Sequence, residues 1–185
     1  SAPTNVVSLV NLGRVKARQK ELIEARKVIS VALEVEPNNT YCLVSLANVE
    51  VLDGKFKEAR RLLNLAIEFG PEDVASYKGL AGLELQLGNS SVARTILRKA
   101  LRVNPSDFGS LVMLGNLERR EGAVEEAVGL LKRALEIHPD NVHCLTTMGS
   151  LEFRLGNVSR ARDLLGRALE LDSENAHSYT ALGNI

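Results

Sequence analysis

Three observations predict an all-α stack of short helix pairs. Residues with fixed conformational roles recur at a step of 34 positions along the whole chain. Leu, Ala and Val dominate, Trp is absent and aromatics make up only 4%, which favours helices packed through aliphatic contacts over a sheet. Within each unit, apolar or small residues return at i, i+3 and i+4, as in Tyr77, Leu80 and Ala81 or Leu111, Leu114 and Gly115.

Each recurring residue has a place in the predicted unit. Asn5, Asn39, Asp73, Asp107, Asn141 and Asn175 precede the apolar stretches, where a side-chain oxygen can accept from the free N–H groups of a helix start. The first helix then ends at Gly54, Gly88, Gly122 and Gly156, residues suited to the left-handed conformation of a tight turn. A second helix follows with two alanines seven apart: Ala25, Ala59, Ala93, Ala127 and Ala161, then Ala32, Ala66, Ala100, Ala134 and Ala168. Their small side chains let neighbouring helices approach closely. Pro37, Pro71, Pro105 and Pro139 close the unit, because proline cannot continue a helix; Ser173 takes the next slot. The unit is therefore helix A, short turn, helix B, short loop, and the chain holds eleven such helices.

Counting from the capping residues gives repeats at 6–39, 40–73, 74–107, 108–141 and 142–175, with a partial repeat at 176–185. We expect a single array over 4–185. Ser1, Ala2 and Pro3 form a terminal segment outside it, either a cloning remnant or the cut edge of a longer protein. The partial repeat reads as a truncated array whose half-unit covers the apolar flank of the fifth, and truncation leaves open end-to-end self-association through exposed flanks.

Composition narrows the function. Lys plus Arg and Asp plus Glu number 23 each, so the net charge is zero, which argues against a generic nucleic-acid or membrane-surface binder while leaving any one face undecided. No apolar run approaches the roughly 20 residues a membrane span needs. Cys42 and Cys144 lie far apart and read neither as a disulfide framework nor as a metal pair, which points to an intracellular, reducing setting. Nucleophile elbows, phosphate-binding glycine loops and zinc-protease motifs are missing, and the glycines are explained by turns, so we expect no enzyme. No cofactor is expected.

With these residues in hand the chain resembles the tetratricopeptide repeat family, a right-handed superhelical solenoid of antiparallel helix pairs. That family's pattern places Leu-Gly at repeat positions 7 and 8, Ala at 20 and 27 and Pro at 32. Leu114-Gly115, Met148-Gly149 and Leu182-Gly183 fill positions 7 and 8, and Leu46-Ala47 and Leu80-Ala81 are near matches. One departure is consistent. Position 11, usually tyrosine, is Glu50, Glu84, Glu118 and Glu152, with Lys16 in the first repeat. Position 21 is Arg26, Arg60, Arg94 and Arg162, with Val128 in the fourth. Glu at 11 with Ala-Arg at 20 and 21 resembles the half-a-tetratricopeptide variety, which is associated with RNA-processing assemblies, although that variety's tryptophan is absent. Glu50/Arg60, Glu84/Arg94 and Glu152/Arg162 are expected to pair across the two helices of one hairpin, setting its geometry or offering a charged ridge to a partner.

The resemblance implies that positions 2, 5, 6, 9, 12 and 13 of helix A line a concave groove. The cations at these positions are Arg14, Arg18, Lys78, Arg119, Arg120 and Arg154, and no Asp or Glu joins them. Tyr41, Val44, Val51, Leu85, Val112, Met113 and Phe153 add apolar surface, and Asn48, Gln86, Asn116, Thr146 and Asn184 add neutral polar groups. Amides that both donate and accept suit a peptide backbone. Arg18, Arg119, Arg120 and Arg154 also lie in the last turn of helix A, where the helix dipole alone favours a cation. The family's two-carboxylate clamp for chaperone tails is not supplied by any three consecutive repeats. His143 and His177, both at position 2, with Cys144 beside the first, lack a clear fourth metal ligand and read as groove-rim residues, so no metal site is expected.

The expected function is a protein–protein interaction scaffold whose groove takes an extended peptide, a helix or an acidic segment. An RNA-binding segment of a longer array is the alternative. The scarcity of stacking aromatics counts against single-stranded RNA.

Overall fold

A computed structural model describes residues 5–185; the predicted terminal segment 1–3 and Thr4 lie outside the described residues. Among the described residues the regular structure is eleven α-helices: α1 (Val6–Arg18), α2 (Leu22–Val35), α3 (Thr40–Leu52), α4 (Phe56–Phe69), α5 (Val74–Gln86), α6 (Ser90–Val103), α7 (Phe108–Glu121), α8 (Val124–Ile137), α9 (Val142–Arg154), α10 (Val158–Leu171) and α11 (Ala176–Gly183). The odd-numbered helices are the A helices, and each starts 34 residues after the last.

Local chemistry sets these boundaries. The side chains of Asn5, Asn39, Asp73, Asp107, Asn141 and Asn175 each accept from a backbone N–H two or three residues on, satisfying donors that a helix start leaves open. At the other end Gly54, Gly88, Gly122 and Gly156 have φ between +73° and +86°, the left-handed region where a β-carbon is disfavoured. The next residue then donates back to the carbonyl of the position-11 glutamate, as in Lys55 N–H to Glu50 O and Asn89 N–H to Glu84 O, both 2.8 Å. This closing bond between residues five apart is that of a Schellman turn. In the first repeat the same turn is made by Lys20, at φ +64°.

The chain falls into two compact units, one ending at Val103 and one running from Asn104 to Ile185. In the first unit, α1 packs on α2, α3 on α4 and α5 on α6, and each pair packs on the next. Its core is aliphatic: Val10, Ile29, Leu43, Leu63, Leu83 and Leu97 are fully or nearly fully buried. In the second unit α7 packs on α8, α9 on α10, and α11 lies on both α9 and α10, around Leu111, Leu131, Leu145, Leu151 and Leu165. All ten ladder alanines have zero exposure, which accounts for their size: a longer side chain would hold the helices apart.

The position-11 glutamates are buried, with exposures of 2–4%, and their partners differ from those expected. Arg60 does not turn to Glu50 within its own hairpin. Its Nε and Nη2 donate to Glu84 of the following repeat at 2.6 and 3.0 Å, and Glu50 is held in the same bidentate way by Arg26 of the preceding one. Arg26 also reaches Asp53 at 2.6 Å. In the fifth repeat Glu152 pairs with Arg160, at 3.1 Å, and accepts from the Asn157 amide, where Arg162 was expected. A helix-B arginine in the first unit thus binds one repeat to the next. The reason is geometric: the position-21 side chain leaves helix B on the side that the next hairpin covers.

Candidate functional site

With the position-11 glutamates turned inward, the exposed charge on helix A is basic apart from Glu121 at the end of α7. Arg14, Arg18, Arg119, Arg120 and Arg154 are all exposed. Among the described residues Arg18, Arg119, Arg120 and Arg154 have no carboxylate partner, in contrast to the helix-B guanidiniums of Arg26 and Arg60.

In the first unit α1 and α3 build a small polar network. Arg14 Nη1 donates to the Tyr41 hydroxyl at 2.8 Å, and that hydroxyl donates to Asn11 Oδ1, also at 2.8 Å. The Arg14 guanidinium lies 5.9 Å from the Tyr41 ring centroid, so charge and aromatic face are held together. Asn48 and Gln86 are exposed on α3 and α5, and Val44 and Lys78 are half-buried. Asn11 was not among the expected groove residues, although its repeat position, 6, is one of those lining the groove.

In the second unit a pocket of about 890 Å³ opens where α7, α9 and α11 meet. Of the expected site residues it gathers Arg119 and Thr146, together with Asn184. Thr146 is 8% exposed and its hydroxyl is bonded to Ser178 Oγ at 2.8 Å, so it forms the floor and is spent on packing. Ser150 and Thr180 donate to carbonyls of their own helices. The basic side chains in the lining are Arg119, His143 and His177, beside the uncharged Thr147 and Asn184. Asn116 stands beside the pocket, with its Nδ2 3.2 Å from His143 Nε2 and its buried Oδ1 without a partner. Val112 and Phe153 are half-buried, and Arg120 and Arg154 are exposed outside the pocket lining.

Two features escaped sequence reasoning. The histidines, read as rim residues, are central here; their signal was that both occupy position 2 in adjacent repeats. An acid, Asp172, faces the pocket from the α10–α11 turn. Its carboxylate accepts from Glu174 N–H and from the Asn175 amide. A count restricted to helix A could not see it.

Burial pushes the Cys144 thiol up to about 11, so it remains a protonated packing group and not a thiolate ligand beside His143. Among the described residues, no three His, Cys, Asp or Glu side chains converge as metal ligands would, and no helix is long and apolar enough to cross a membrane.

Comparison with known proteins identifies the repeat. Two family models described as Tetratricopeptide repeat match residues 78–142 and 118–185, together more than half of the chain. The chain belongs to the tetratricopeptide repeat family. Neither model is described as the half-a-tetratricopeptide variety. No curated protein matches the sequence. Among solved structures, this tetratricopeptide chain is similar to the Pseudomonas aeruginosa protein PilF, with a TM-score of 0.84 at 16% identity, covering 95% of this chain and 80% of that one. It is also similar to TTC0263, a thermophilic TPR protein of Thermus thermophilus (TM-score 0.73, 19% identity, 97% and 98% covered). A third is YrrB, described as a TPR protein with an unusual peptide-binding site (0.69, 20% identity, 96% and 91% covered). At these identities the likeness is one of fold. Tetratricopeptide proteins generally mediate protein interactions.

Proposed function

We propose that this chain is a non-enzymatic protein–protein interaction scaffold and that its helix-A faces bind an extended peptide, a helix or an acidic segment of a partner. The observation that carries this reading is the division of charge. Glu50, Glu84 and Glu152 of helix A are buried against Arg26, Arg60 and Arg160 of helix B, while the helix-A arginines Arg18, Arg119, Arg120 and Arg154 stay exposed without a carboxylate among the described residues; Glu121, at the end of α7, is the exposed exception. Exposed guanidiniums beside amides suit a carboxylate-bearing chain, since arginine binds carboxylates in a two-pronged fashion. The peptide-binding site named for YrrB, a protein of the same fold, supports the reading.

The test is retention of partners from a cell extract, with and without ribonuclease, by the native chain and by an Arg119→Glu/Arg154→Glu variant. A defined protein retained despite ribonuclease and lost in the variant is the expected result. Retention that vanishes with ribonuclease assigns the surface to RNA and overturns the proposal. Salt provides a second readout, because binding through several phosphates weakens steeply as salt is added.

A further inference from the structure

The pocket between α7, α9 and α11 carries an unusual balance of charge. Arg119 from α7 and Asp172 from the α10–α11 turn are its fixed charges, and they are of opposite sign. The other titratable side chains in its lining are His143, from α9, and His177, from α11. With both imidazoles neutral the lining has no net charge, and each proton taken up adds one positive charge. Histidine is the ordinary side chain that changes charge between about pH 5 and pH 8.

The surroundings suit both states of His143. As placed, the Asn116 amide nitrogen donates to Nε2, leaving Oδ1 buried and unpartnered. In the opposite amide orientation Oδ1 accepts from a protonated Nε2. An amide is a neutral group that can serve either state, because it has a donor at one end and an acceptor at the other. The hydroxyls of Thr146, Ser150 and Thr180 are already engaged within the protein. Thr147 and Asn184 also line the pocket and are uncharged, so selectivity for charge falls to the guanidinium and the two imidazoles, set against Asp172.

We infer that this pocket recognises an acidic side chain of the bound segment in a proton-linked manner, with Arg119 as the permanent cation and His143 and His177 as the titrating ones. The inference rests on the groove-binding reading above and adds to it the ligand's charge and a dependence on pH. As pH falls, the imidazolium charges outweigh Asp172 and the acidic segment is held. As pH rises, the pocket returns to neutrality and releases it.

The experiment uses two probes, hexaglutamate and hexaglutamine, titrated into the isotopically labelled chain and followed by NMR at about pH 6 and about pH 8. Glutamate side chains are ionised at both values, so a pH effect belongs to the protein. Hexaglutamate is expected to shift the His143, His177 and Arg119 side-chain signals at the lower pH and to bind about tenfold or more weakly at the higher one. Hexaglutamine is expected to show no such dependence. The His143→Gln/His177→Gln variant, its fold checked by circular dichroism, should lose the pH dependence, and Arg119→Gln should weaken binding at both pH values.

A pH-independent affinity in the native chain overturns the inference, as does pH dependence that survives in the double histidine variant. If hexaglutamate moves Arg14 and Lys78 but not the pocket residues, groove binding stands and the inference falls. If neither peptide moves any helix-A signal, both fall. Tighter binding of a uridine hexanucleotide at the pocket assigns it to phosphate chains and also overturns the inference.

Discussion

Lys20 occupies a backbone position that four other repeats give to glycine, and it holds φ +64° with a β-carbon in place. Left-handed geometry costs a non-glycine residue about 1–2 kcal/mol. Lys20→Gly is therefore expected to stabilise the chain by about 1 kcal/mol, less than the full strain because glycine also gains freedom in the unfolded chain. Urea denaturation checks this through a higher midpoint at unchanged slope. Glu84 shows the opposite case of a charge made tolerable by its neighbours. Hydrogen bonding from Arg60, against the effect of burial and aided by the Asn89 amide, holds its carboxyl below the usual range. A depressed folded-state value means the pairing stabilises fully above the ordinary carboxylate range and is lost as pH falls through that range. Arg60→Ala is expected to cost about 2 kcal/mol at neutral pH, since Glu84 is left buried with only the amide. The cost should shrink below about pH 4, as the unfolded carboxyl protonates. Stability curves of native and variant protein that stay parallel in acid would refute this.

The room left at the hairpin contact differs between repeats at position 8. In the fifth repeat a β-carbon on Gly149 would sit 2.7 Å from Leu165 Cγ and 3.3 Å from the Ala161 carbonyl oxygen. The first is a branch point and the second is backbone, so neither yields easily. In the third repeat the same position is Ala81, fully buried without strain. Gly149→Ala should destabilise by about 1–2 kcal/mol, overpacking outweighing the roughly 1 kcal/mol that alanine gains as a helix former. Thermal denaturation of the variant would show it. The last helix, α11, is the least anchored: its one buried residue is Ser178. Its amides should exchange with solvent fastest among the described helices, with an opening free energy of about 1 kcal/mol or less. Protection in α11 equal to that in α9 would contradict this.

At the scale of the molecule, the hairpins within each unit bury their apolar faces against their sequence neighbours, so stability is a sum of local terms. Unfolding should depart from a two-state transition, with a calorimetric enthalpy larger than the van't Hoff value; equality of the two would show tighter coupling. The helix-A surface of the first repeat is also relevant to assembly. Leu12 and Val15 are 46% and 48% exposed, whereas the matching Leu46 and Val49 are 9% and 1% exposed. We propose that this surface supports self-association; sedimentation across concentrations should show association in the native chain and its loss in a Leu12→Glu/Val15→Glu variant, and a native chain that stays monomeric would refute it.

Much of the fold was legible in the sequence because its determinants are local and repeated. An Asx residue caps the start of every A helix, a glycine takes positive φ at the A-to-B turn of four repeats, and paired alanines let the two helices of a hairpin close. Eleven helices and their ends follow from those rules. The expected groove residues follow from a pattern of positions alone. Which side chains converge was decided by tertiary structure. Arg60 reaches Glu84 and not Glu50 because of how one hairpin leans on the next, and nothing within a single repeat encodes that direction. Asn116 meets His143, and Asp172 turns into the same pocket, because α7 of the fourth repeat comes together with α9 and a loop of the fifth. Periodicity along the chain specifies each repeat; the meeting of side chains from neighbouring repeats of one unit is set by how those repeats pack.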